Sequence, residues 1–161
     1  IHARMRSTTQ VEMKPALLRS HNNIMIKRKV EDVYQFVAVD FFQNYRKWSP
    51  EVSELEQITR GAMRVGVTGR QVRYDLGYRS EATFRVTRLL PLRELRFASL
   101  SIPEFDVCYR FEPVTDATRL SFEFQLRLPL LMLPLQSRVD DIIKRGGNGV
   151  VNNLQALLEA D

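Results

Sequence analysis

The chain's 161 residues suffice for one domain, and a domain of that size buries roughly 70% of the surface its unfolded form exposes, so no disulfide or metal is needed to hold a core. An apolar fraction of 44% against a charged fraction of 27% excludes intrinsic disorder, and a single cysteine excludes an internal disulfide. The net charge of +5 is spread along the chain, with no basic run longer than Lys27, Arg28 and Lys29; this argues against nucleic acid as a partner and leaves transient contact with an anionic membrane surface.

Two histidines, His2 and His21, and one cysteine, Cys108, offer too few good ligands for a transition-metal site, so neither metal nor cofactor is expected. Cys108 reads as a small packing residue, because a Cys–His nucleophile pair needs a histidine beside it. Residues 1–10 are polar and basic and read as a flexible segment ahead of a single domain over residues 11–161. The longest apolar run, residues 128–135, contains Pro129 and Pro134 and is far short of the ~20 residues that span a bilayer. A cytoplasmic location is the expectation.

In chain order, a first strand falls within residues 11–26 and is clearest at Ile24, Met25 and Ile26. From Val30 the period changes. Val33, Phe36 and Val37 fall at helical spacing with Phe41 one turn on, and Glu31 and Asp32 occupy the first turn, where carboxylates suit the helix dipole. A second short helix over residues 41–47 ends at Trp48-Ser49-Pro50, since the residue before a proline avoids the helical region. Six strands follow, at residues 51–59, 65–76, 79–89, 94–101, 105–111 and 118–128. The sharpest break is Asp75-Leu76-Gly77-Tyr78, a tight hairpin in which Gly77 supplies a positive φ.

The last two strands alternate strictly. Phe105, Val107, Tyr109 and Phe111 take one face and Asp106, Cys108, Arg110 and Glu112 the other; Leu120, Phe122, Phe124, Leu126 and Leu128 oppose Ser121, Glu123, Gln125 and Arg127. Such patterning means one covered face and one wet face. A long helix over residues 133–159 carries an apolar stripe of Val139, Ile142, Ile143, Val150, Leu154, Leu157 and Leu158. Gly146, Gly147 and Gly149 interrupt it, each costing about 1 kcal/mol relative to alanine. They read either as a kink or close packing on the sheet, or as a hinge that admits a ligand. A seven-stranded antiparallel sheet with one wet face must cover the other, and only this helix is long enough to do so.

Several strings in this order resemble the helix-grip (SRPBCC) superfamily. Residues 26–37, from Ile26 through Val30-Glu31-Asp32-Val33 to Phe36 and Val37, match its opening phrase; Trp48-Ser49-Pro50 matches the end of its second helix. Val86, Thr87, Leu89, Pro91, Leu95 and Phe97 match a middle phrase, and Asn153, Leu154, Leu157, Leu158 and Glu159 the ending. The superfamily includes polyketide cyclase/dehydrase-like proteins, START lipid-transfer domains, birch-pollen-allergen-like proteins and coenzyme-Q-binding proteins. The resemblance implies an α+β fold in which a curved antiparallel sheet wraps a long C-terminal helix, with two short helices after the first strand. It also implies a cavity between sheet and helix for a lipid, polyketide, quinone or similar hydrophobic ligand. Some members are enzymes and many only bind or carry.

On that resemblance, the cavity walls are Phe84, Val86, Phe97, Val107, Tyr109, Phe111, Phe122, Phe124 and Leu126; without it these residues read as solid core. A two-residue loop at Leu76-Gly77 pairs Arg73 with Ser80, Gln71 with Ala82 and Gly69 with Phe84, turning Gln71 and Arg73 inward with Phe84. An inward arginine suits a carboxylate, phosphate or phenolate. Tyr109 reads as a packing ring whose hydroxyl orients a ligand or acts as a weak acid, His21 as a base or a half-exposed strand residue, and Trp48 as a packing anchor or a ligand-stacking ring. Leu130, Leu131 and Met132 read as the start of the long helix or as an apolar lip at the cavity mouth. No acid–base pair with recognisable spacing appears, so a non-catalytic binder or carrier is expected. The alternative is a metal-free enzyme of the cyclase or dehydratase type using Arg73, Tyr109 or His21.

Overall fold

A computed structural model describes residues 16–160. The expected flexible segment, residues 1–10, and the first five residues of the expected domain lie outside the described residues. The elements are β1 (Ala16–Ile26), α1 (Val30–Tyr34), α2 (Phe41–Trp48), β2 (Val52–Gln57), β3 (Thr68–Asp75), β4 (Tyr78–Leu90), β5 (Glu94–Ser99), β6 (Phe105–Val114), β7 (Ala117–Leu128) and α3 (Gln136–Glu159). The seven strands form one antiparallel sheet in the order β1-β7-β6-β5-β4-β3-β2. This is the helix-grip architecture expected from the sequence.

The alternation in β6 and β7 sets the two faces. Val107, Tyr109, Phe111, Leu120, Phe122 and Leu126 are buried on the concave face, and β1 pairs with β7 from Ala16↔Leu128 to Ile26↔Thr118. Irregular registers between Val52 and Glu54 and between Val86 and Arg88 mark bulges that bend the sheet. β1 and β2 are the two edges, so the helical segment between them crosses from one edge to the other. α3 lies in the hollow, burying Ile143, Gly147, Val150, Val151, Leu154 and Leu158.

Two local features differ from the sequence expectation, and a third decides between its alternatives for the glycines. The first helix does not run regularly from Val33 to Phe41: after α1 it widens into a π-helical turn, Gln35–Val39, with the Asp40 amide donating to the Gln35 carbonyl at 2.9 Å. Asn44 Nδ2 donates to the Phe36 carbonyl at 3.0 Å, taking up an acceptor loosened by that turn. The long helix begins at Gln136, not at residue 133. Leu130–Leu135 form a 3₁₀ helix that contains Pro134, whose ring would clash with the Leu130 carbonyl if the segment wound as an α-helix. The glycines do not break α3. A Cβ on Gly147 would collide with the side-chain oxygen of Asn22 and press on Ser20, so this glycine lets α3 lie against β1.

Candidate functional site

The helical period of α2 puts Phe41, Tyr45 and Trp48 on one face. All three are buried. With Phe42 they drive an aromatic wedge against β4 and β5. Phe41 meets Phe84 and Phe97 at centroid distances of 6.2 and 5.4 Å, and Phe42 stacks on Phe84 at 6.1 Å. Gly69 of β3 sits opposite Phe84, and any side chain there would strike the rings of Phe42 and Phe84. Tyr34 of α1 closes on Phe111 of β6 edge-on at 5.3 Å. The interior beneath α1 and α2 is therefore solid.

Beyond the wedge it is open. A cavity of about 320 Å³ lies between the sheet and the N-terminal half of α3, at the low end of the roughly 300–1,000 Å³ usual for small-molecule sites. Phe97 of β5, Val107 and Tyr109 of β6, and Phe122, Phe124 and Leu126 of β7 form its floor. Val139, Ile142, Ile143, Gly146 and Val150, one stripe of α3, form its roof. The exposed residues Tyr78, Arg79 and Ile102, together with Met132 and Leu135, frame its opening. Arg138 Nη1 donates to the Tyr78 hydroxyl at 2.9 Å and ties α3 to the β3–β4 hairpin there.

The buried polar groups come from β3, α2 and β6. In the hairpin Gln71 pairs with Ala82 and Arg73 with Ser80, the pairing a two-residue turn predicts, with Leu76 at φ 49° and Gly77 at φ 86°. Gln71 is 5% exposed and its Oε1 has no partner in the protein. Arg73 is fully engaged by its own structure: Nε and Nη2 donate to the two Asp75 carboxylate oxygens at 3.2 and 3.1 Å, and Nη1 donates to the Tyr45 hydroxyl at 3.1 Å. Burial opposes the arginine's charge, but Tyr45 and Asp75 outweigh it and hold its pKa above the ordinary value. Trp48 Nε1 donates to the Tyr109 hydroxyl at 3.2 Å. Burial is the main cause that pushes the Tyr109 phenol well above the usual tyrosine range.

The structure brings Gln71, Arg73, Phe97, Val107, Tyr109, Phe122, Phe124, Leu126 and Met132 to one cavity. It places the other sequence-derived candidates elsewhere. Trp48, Phe84, Val86 and Phe111 are in packed core and do not line the cavity, because the aromatic faces of α1 and α2 fill that part of the interior. His21 is on the opposite side of the sheet: Ser20 turns inward, His21 turns out, and its Nε2 lies 3.7 Å from Glu123, its cross-strand partner. It is not a base for this cavity. Leu130 and Leu131 point to solvent at 49% and 96% exposure, and of that trio only Met132 reaches the cavity. Among the described residues no group of three or more His, Cys, Asp or Glu side chains is placed to hold a metal ion.

A family model described as polyketide cyclase / dehydrase and lipid transport matches residues 18–159. The chain belongs to that family. Solved structures agree on the fold. The chain is similar to the Zhui aromatase/cyclase from Streptomyces sp. R1128, with TM-score 0.76 and 14% identity over 89% of this chain and 94% of that one. It is similar to a START superfamily protein from Mycobacterium smegmatis, with TM-score 0.73 and 13% identity over 88% and 97%. The major latex-like protein 151 of Panax ginseng gives TM-score 0.70 and 7% identity over 89% and 99%. None of the curated proteins matches the sequence. Within this polyketide cyclase/dehydrase and lipid transport fold, the sequence reading missed the polar rim residues, such as Tyr78, Arg79 and Arg138, and both partners of Arg73. Tyr45 shares its helical face with Phe41 and Trp48, and Asp75 shares its strand face with Arg73 two residues away; both spacings are visible in the sequence. Val139, Ile142, Ile143 and Val150 of the roof were legible too, as the apolar stripe of the helix, whereas Gly146 read as an interruption of it.

Proposed function

We propose that this protein binds and carries a small, largely apolar molecule in the cavity beneath the N-terminal half of α3, without changing it chemically. One observation carries the reading: an apolar cavity of about 320 Å³ lined by a buried amide, Gln71, whose Oε1 has no partner in the protein. Apolar walls with a few convergent polar groups are what a small-molecule site requires. The rim at Ile102, 78% exposed, and at Met132 is the route we assign for the guest's entry.

The likeness to an aromatase/cyclase raises the alternative of ring-closing or dehydrating chemistry in the same cavity. Such chemistry needs a group that gives and takes a proton near neutral pH. Tyr109 holds its proton far above that range, Arg73 stays charged on Asp75, and His21 faces away. These placements support carriage over turnover. Native mass spectrometry of the purified protein tests the reading. A stoichiometric apolar adduct that is removed by organic extraction, rebinds, and is recovered with unchanged mass after long incubation is expected. Recovery of a dehydrated or cyclised product would overturn it.

A further inference from the structure

The charges at the cavity cancel within the protein. Arg73 is held bidentately by Asp75, and Arg79 Nη2 lies 3.4 Å from Glu81 Oε2. Arg138, the remaining lining cation, already donates to Tyr78, and Glu51 lines the same cavity as a further carboxylate. An anionic guest would thus enter a site where the buried cation, Arg73, already has its counter-ion, and deep in the cavity it would lose its hydration without a second buried cation to pair with.

Gln71 makes the opposite demand. Its side chain lines the cavity, is nine-tenths buried or more, and makes no hydrogen bond within the protein through Oε1. A purely hydrocarbon guest would leave that group without a partner, and an unsatisfied buried polar group costs about 1–3 kcal/mol. A hydroxyl both donates and accepts, so it satisfies the amide whichever way its oxygen and nitrogen point; a carboxylate satisfies only the N–H side. We propose that the guest is an uncharged, apolar molecule bearing a hydroxyl group, seated with that hydroxyl on Gln71, in place of a carboxylate or phosphate held by Arg73. This rests on the carrier reading above and names the chemical class carried.

Three probes with the same ring system separate the possibilities: 2-naphthol, 2-methylnaphthalene and naphthalene-2-carboxylate, titrated at pH 7 into the extracted protein by calorimetry or by fluorescence. The expected result is that 2-naphthol binds about tenfold more tightly than either of the others. In the Gln71→Leu variant its advantage over 2-methylnaphthalene should vanish, while 2-methylnaphthalene binds at least as well as before. Tighter binding of the carboxylate, or an unchanged naphthol preference in the variant, would overturn the hydroxyl assignment and leave the carrier reading standing. Binding of none of the three would overturn both. The ranking in the unmodified protein stands by itself even if Gln71→Leu does not fold, and Gln71→Met offers a closer match in shape.

Discussion

Cys108 and Tyr109 are neighbours on β6, and their side chains go to opposite faces of the sheet. Tyr109 enters the cavity. Cys108 faces outward yet is only 2% exposed, because Glu94 lies over it and Arg88 and Arg110 reach Glu94 at 2.9 and 3.7 Å. The thiol donates to Glu94 Oε1 at 3.1 Å. Burial first and the carboxylate second push its pKa up to about 12. A raised acid pKa means that the fold favours the neutral thiol; that contribution is complete below the ordinary thiol pKa and fades as pH rises from there towards 12. Since the thiolate is the reactive form, native Cys108 should react with a disulfide reagent at pH 8 on the order of a thousandfold more slowly than in the denatured chain. Equal rates in stopped-flow or absorbance assays would contradict the closed outer surface described here.

At the scale of elements, α3 has two unlike halves. Its C-terminal half is pinned by polar ties to the rest of the chain: Asn153 Nδ2 to the Trp48 carbonyl at 3.0 Å, Gln155 Nε2 to the Met25 carbonyl at 2.9 Å, and Arg28 Nη1 to the Leu158 carbonyl at 2.8 Å. Its N-terminal half roofs the cavity. Gly146 and Gly147 meet at the boundary and behave differently. A Cβ on Gly146 would meet nothing within 4 Å, whereas one on Gly147 would strike Asn22. Gly146→Ala should therefore gain the helix-propensity difference of about 1 kcal/mol and raise Tm by roughly 2–4 °C, while Gly147→Ala should lower Tm. Thermal unfolding of the two variants checks this; a common sign would show that the α3–β1 contact is misplaced.

The same elements show what the sequence disclosed and why the rest was hidden. The hairpin register followed from two residues, Leu76 and Gly77, because a two-residue turn leaves one pairing. The faces of β6 and β7 followed from period-2 alternation. The extent of the cavity did not follow. Phe84 and Phe111 carry the same inward pattern as Val107 and Phe122, and strand periodicity cannot tell a side chain facing a void from one facing another ring. That distinction is made by α1 and α2, whose aromatic residues fill one part of the interior only. The π-helical turn was equally silent, since its five residues keep an apolar pattern compatible with an ordinary helix.

At the scale of the whole molecule, a bent sheet encloses more volume than one helix fills. The wedge of Phe41, Phe42, Tyr45 and Trp48 takes up one end, and the space left at the other is the cavity. No helix of the described residues is long and apolar enough to cross a membrane. Methyl-resolved NMR during titration with 2-naphthol tests this division of the interior most directly. A saturable shift of the Val107, Leu126, Ile143 and Val150 methyls, with those of Leu120 and Leu154 unmoved, is the result expected. Absence of any saturable shift, or shifts centred on Leu120 and Leu154, would show that the interior is packed shut where we place the guest.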